Sequence, residues 1–125
     1  MKIEISNGEL LDKLSILSLK LRHITDDDKL KNIKAETSIL TPLCQEFLQN
    51  SSVYTLYQEL VDVNTKLWDI EDKLREHETK MEFNKKFIEM ARLVYITNDR
   101  RADIKKQINI ITESTIVEEK SYSNY

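Results

Sequence analysis

From Val53 to Leu74 the apolar residues Val53, Leu56, Leu60, Val63, Leu67, Ile70 and Leu74 alternate spacings of three and four without a break. His77 and Met81 continue the series. Such a heptad seam keeps one stripe of a helix turned toward a partner, and about four successive repeats are hard to obtain by chance. The series predicts a helix of about 30 residues, which would be roughly 45 Å long.

A helix of that length needs something to bury its seam. The stretch that follows offers it, with Phe87, Met90, Val94, Thr97, Arg101, Ile104, Ile108 and Ile111 on one stripe and Ala91, Tyr95, Asn98 and Ala102 on the next. The register changes around Glu82 to Asn84. Residues 51–82 hold eight acidic and four basic side chains, whereas 84–112 hold three acidic and seven basic. Opposite charge of this kind favours folding the two stretches into an antiparallel hairpin. No Gly or Pro enforces the bend, so one continuous rod is the competing arrangement.

Upstream, Ser6 to Glu9 reads as a capping box that opens a first helix ending near His23. Its apolar stripe is Leu10, Leu14, Leu17, Leu21 and Ile24. Before it, Ile3 and Ile5 alternate with Lys2 and Glu4, a period of two that suggests a short strand. Asp26-Asp27-Asp28 starts a second helix, carried by Leu30, Ile33, Thr37, Leu40, Cys44 and Phe47. Thr41-Pro42 fits an N-cap followed by the first helical position, so a kink or restart is expected there. The tail from Ser114 to Tyr125 lacks helical spacing and is expected to dock as an extended segment, against the N-terminus.

Composition agrees with an all-α chain. Gly and Pro occur once each, too few for the turns of a sandwich or a doubly wound sheet. The single Cys44 excludes an internal disulfide and a cysteine-rich zinc site. A net charge of −3 gives no motive for binding nucleic acid or anionic lipid. With no signal-type segment and no long apolar run, the expected compartment is cytoplasmic and no membrane is involved. The expected fold is therefore a long antiparallel, coiled-coil-like helical hairpin (51–112) packed with a shorter N-terminal helix pair (1–50) and an extended tail (113–125), within one helical domain over 1–125.

Three groups of residues could carry chemistry. If the hairpin turns near residues 82–83, Asn64 lies opposite Arg101, and Leu67 and Trp68 lie opposite Asn98 and Thr97. Arg101 interrupts an apolar stripe, and a buried guanidinium needs partners. One reading is an anion-binding or catalytic pocket built from Asn64, Trp68, Arg92, Asn98 and Arg101. The other is a satisfied polar layer that fixes register and oligomeric state. The acidic pairs Glu9/Asp12, Glu59/Asp62 and Asp69/Asp72 share helix faces and could hold Mg²⁺ if another helix supplied oxygens, but acid-rich solvated faces produce the same spacing. His23 has Asp26 and Asp27 three and four residues on, but the first helix is expected to end between them. His77 has no ligand-type residue at either spacing, no Glu-x-x-His element occurs, and no nucleophile or phosphate-loop motif is present, so no metal or cofactor is expected.

Several strings carry a resemblance when taken together: Gly8-Glu9-Leu10-Leu11-Asp12-Lys13, Val63-Asn64 with Leu67-Trp68 and Ile70-Glu71-Asp72, then Ala91-Arg92-Leu93-Val94-Tyr95, Asn98-Asp99-Arg100-Arg101-Ala102 and Val117-Glu118-Glu119-Lys120-Ser121-Tyr122. With them the chain resembles an uncharacterised family of short helical proteins found in bacteria and their phages. The resemblance implies a complete domain with the tail as part of the folded unit. It implies no activity, cofactor or catalytic residue.

Two functions follow as expectations. The first is a helical protein–protein interaction or assembly module, homodimeric because a hairpin of about 45 Å outruns a first helix of about 25 Å and leaves seam residues uncovered. A different protein is the other partner such a seam could take. The alternative is a small all-α enzyme or ligand-binding protein for an anionic metabolite, a nucleotide or sugar phosphate, with Mg²⁺ as an optional companion.

Overall fold

Four short polar side chains, Ser6, Asp26, Asn50 and Asn84, each turn an oxygen onto the free amides of a helix start. Ser6 Oγ accepts from the Glu9 amide at 3.1 Å, Asp26 Oδ1 from Lys29 at 3.0 Å, and Asn84 Oδ1 from Phe87 at 3.0 Å. Asn50 Oδ1 accepts from both Ser52 and Val53. The helices they open are α1 (Asn7–His23), α2 (Asp27–Leu48), α3 (Ser51–Lys80) and α4 (Lys85–Ile111), in a computed structural model that describes residues 1–125. The chain is all-α, and no strand occurs.

Two local expectations give way. Residues 1–6 carry no regular structure, because none of their backbone groups pairs with another extended segment. Pro42 does not restart the second helix, since α2 runs unbroken through it. The carbonyl that loses its amide partner there belongs to Ser38, on the exposed side of α2, where solvent reaches it. Thr41, expected as a cap, instead donates its hydroxyl to the Thr37 carbonyl one turn back, as a mid-helix threonine does.

The bend between α3 and α4 forms without glycine. Met81 takes the left-handed conformation at φ 54° and closes α3, while the Glu82 amide donates to the His77 carbonyl at 2.9 Å. His77 Nδ1 donates in return to the Glu82 carbonyl, and its ring sits 5.9 Å from that of Phe87. Phe83 meets Phe87 edge-on at 5.2 Å, so an aromatic cluster covers the turn. His77, which continues the seam, is half-buried and braces the turn.

Helix directions follow from who meets whom. Asp12 and Ser15 of α1 reach Asn64 of α3, and His23 reaches Trp68, so α1 runs alongside α3 in the same sense. Gly8, Glu9 and Asp12 meet Asn109, Lys105 and Arg101, so α4 runs the opposite way. Gly8 marks the closest approach. A Cβ there would press into the Lys105 carbonyl oxygen and lie 2.9 Å from Asn109 Oδ1.

Burial is concentrated at one end of this arrangement. Leu10, Leu11 and Leu14 of α1, Cys44 of α2, Val53, Leu56, Leu60 and Val63 of α3, and Ile104 and Ile108 of α4 form one core. Each fully buried aliphatic side chain contributes about 1.5–3 kcal/mol relative to exposure. Burial pushes the Cys44 thiol up to about 11, so it stays protonated and packs as a small apolar group. Between Asn64 and Ile104 no residue is buried. Past Trp68, where α1 ends, that stretch is an arm of two helices with no third helix beside it. None of the helices is long and apolar enough to cross a membrane.

The tail lies back along α4. Glu118 accepts from Ser6 Oγ at 2.6 Å, Glu119 pairs with Lys106 at 2.8 Å, and Tyr125 donates to Asp99. The Ser6 hydroxyl therefore serves two neighbours, capping α1 and tying the tail to it.

Candidate functional site

The polar residues that sequence spacing sets opposite each other do converge, and they do so on a third helix. Asp12 of α1 is fully buried. Arg101 of α4 donates to it twice, Nε to Oδ1 at 3.0 Å and Nη2 to Oδ2. Asn64 of α3, 5% exposed, donates its amide to Asp12 Oδ1 at 2.9 Å and to Ser15 Oγ at 2.7 Å. The Ser15 hydroxyl donates in turn to the Asp12 backbone carbonyl at 2.6 Å. The two-pronged bond to Asp12, more than any other cause, holds the Arg101 guanidinium charged, and it outweighs the opposing effect of burial. No fully enclosed side-chain nitrogen or oxygen is left without a partner.

One turn below, Glu9 pairs with Lys105 at 2.5 Å, so both members of the first acidic pair are taken up by cations of α4. In the capping box, Ser6 bonds as expected, but the Glu9 carboxylate turns to Lys105. The other acidic pairs are less engaged. Glu59 meets Arg100 at 3.2 Å, whereas Asp62, Asp69 and Asp72 are exposed. Nowhere do three or more His, Cys, Asp or Glu side chains gather closely enough for a metal ion.

Above the polar layer, where α1 ends against the arm, lies an open cavity of about 410 Å³. Asn64, Trp68, Asn98 and Arg101 line it together with apolar wall residues such as Leu19 and Leu67. His23 stacks on the Trp68 indole with ring centres 4.7 Å apart, which fixes the indole at the cavity edge. Arg92 does not join the other four. It is exposed, on the outer side of α4, because it sits nearly half a turn away from the stripe that faces α3.

The chain belongs to a family of unknown function. The match is to DUF6165 and spans residues 1–125. No curated protein and no solved structure matches the chain. Membership in this family assigns no reaction or ligand to the cavity.

Asp12 and Ser15 are the members of the layer that sequence reading did not connect to Arg101. A signal was present. Gly8, Asp12, Ser15 and Leu19 recur at spacings of four, three and four, a second helical stripe beside the leucines. An aspartate on a stripe otherwise made of small or apolar residues marks a close helix approach with a charge in it. Arg101 and Lys105, four apart, match Asp12 and Glu9 in reverse order.

Proposed function

We propose that this chain is a helical assembly module that works as a homodimer, joined through the arm of α3 and α4. The carrying observation is the arm's uncovered apolar surface. Its seam residues Leu67, Ile70, Leu74, Phe87, Met90 and Val94 are only half-buried, and Met81 at the tip is 71% exposed. Leu93 and Ile96, three residues apart on one side of α4, are 44% and 39% exposed. A contiguous apolar face rimmed by charge is the usual mark of an interaction surface.

Charge argues for a second copy as the occupant. Residues 65–82 carry six acidic and four basic side chains, and 84–98 carry one acidic and three basic. A two-fold axis between arms would set the acidic helix of one against the basic helix of the other, so one patch serves both partners. The polar layer supports the same reading from another side. Asp12 neutralises Arg101, which removes the positive charge that motivated an anion site, and the fully bonded layer has the character of a register-fixing device.

Sedimentation equilibrium tests the proposal. The wild-type chain is expected to sediment as a dimer, and Leu93→Glu with Ile96→Glu as a helical monomer, since both side chains already contact solvent in one chain. A wild-type monomer at high concentration overturns it, as does a double variant that remains dimeric.

A further inference from the structure

The cavity at the root of the arm has hydrogen-bonding capacity that the protein leaves unused. Asn64 spends both amide protons on Asp12 and Ser15, so its carbonyl oxygen is an acceptor with no partner in the chain, on a side chain that is 5% exposed and lines the cavity. Arg101 commits Nε and one Nη2 proton to Asp12, which leaves the rest of its guanidinium edge as donors. The Asn98 side chain, half-buried on the same wall, forms no hydrogen bond within the protein and can offer either a donor or an acceptor. A fixed acceptor, a fixed donor and an adaptable amide therefore stand together beside the Trp68 indole.

The charge around this wall is balanced or slightly negative. Asp12 cancels Arg101, and Arg75 at the rim pairs with Glu71 at 3.5 Å, leaving Asp72 over. A phosphate or carboxylate entering here would lose hydration and gain no free cation. A flat, uncharged ring with donors and acceptors along one edge would lose little. It would bury its faces against Trp68 and the leucine wall and satisfy the open carbonyl of Asn64.

We propose that this cavity binds an uncharged planar nitrogen heterocycle of the nucleobase type, packed against Trp68 and read along its edge by Asn64, Asn98 and Arg101. The volume of about 410 Å³ falls within the usual range for a small-molecule site. Asn64 and Arg101 are held by the same layer that locks α1, α3 and α4 together, so two of the three reading groups are in place before the ligand arrives.

Trp68 is the only tryptophan, so its fluorescence reports on this cavity alone. The full chain would be titrated with adenosine, guanosine, cytidine and uridine, with adenosine monophosphate and inorganic phosphate as charged probes. At least one nucleoside is expected to give a saturable change, and adding a phosphate should not tighten binding. Asn98→Ala removes no internal hydrogen bond, so it should keep the wild-type melting temperature while weakening the nucleoside by about tenfold. The proposal fails if no nucleoside gives saturation, if Asn98→Ala binds like wild type, or if the monophosphate binds much more tightly than its nucleoside.

Discussion

The two ends of the α3–α4 hairpin are built from the same kind of seam and reach different levels of burial. At the base, Val53 to Val63 meet Ile104 and Ile108, with α1 and α2 closing over them, and the aliphatic side chains are buried. In the arm, Leu67 to Leu74 meet Phe87 to Val94 with the same spacing, yet none of these residues is buried. The periodicity is continuous across the boundary at Asn64. Two helices shield only the line where they touch, while three or four enclose a volume. What distinguishes the ends is the length of α1, which stops at His23 beside Trp68. A seam read from sequence therefore specifies a face that wants a partner, and the neighbouring helices decide how much of it is satisfied within one chain.

The largest effect that would break this contrast is at the boundary itself. Asp12→Ala leaves Arg101 charged and one Asn64 amide proton short of a partner inside the base, and should cost about 3–5 kcal/mol in urea unfolding. Asp12→Leu combined with Arg101→Met should recover most of that loss, because an apolar pair of similar size carries no desolvation penalty. If Asp12→Ala melts like wild type, the layer is not what closes α1 onto the hairpin.

A smaller effect compares equivalent leucines. Leu60→Ala, in the enclosed base, should cost about 2–5 kcal/mol, whereas Leu74→Ala, on the same seam in the arm, should cost about 1 kcal/mol in a single chain. If the arm is covered by a second copy, the cost of Leu74→Ala grows with protein concentration, because unfolding is then coupled to dissociation. Equal costs at both sites and at every concentration would show that the base and arm are equally well enclosed.

Much of this architecture was legible in advance. The first two helix starts are written as Ser6 and Asp26, each ahead of an apolar series, and the spacing rule for the hairpin places Asn64 opposite Arg101, which meet on the two sides of Asp12 Oδ1. Other features depend on the third dimension. Asp12 reads as half of a solvated acidic pair, since nothing along the chain says that α1 turns that stripe onto α4. Arg92 shares its charge and neighbourhood with Arg101 but lies off the contact stripe, a difference of angle and not of composition. Pro42 looks like a break because the rule concerns the lost hydrogen bond, and only the fold shows that the orphaned carbonyl faces solvent.

The smallest expected effect concerns the tail, which belongs to both regions at once. Its first part is tied to the base through Ser114, Glu118 and Glu119, and its last residue reaches the root of the arm, where Tyr125 donates to Asp99 and meets the Tyr95 ring edge-on at 5.4 Å. The hydrogen bond to Asp99 pushes the Tyr125 phenol up to about 12, from an ordinary value of 10.0. A raised value means that folding favours the protonated form. The contact is therefore fully present below pH 10.0 and is lost as pH rises through about 12. Ring carbon signals of Tyr125 and Tyr95 should lose their mutual shift over that window, while Leu60 methyl signals in the base stay in place. Tyr125→Phe should produce the same loosening at neutral pH and abolish the alkaline step. A Tyr125 that titrates at the free-phenol value would mean that the tail's grip ends at Glu119, and that the arm stands alone from its root.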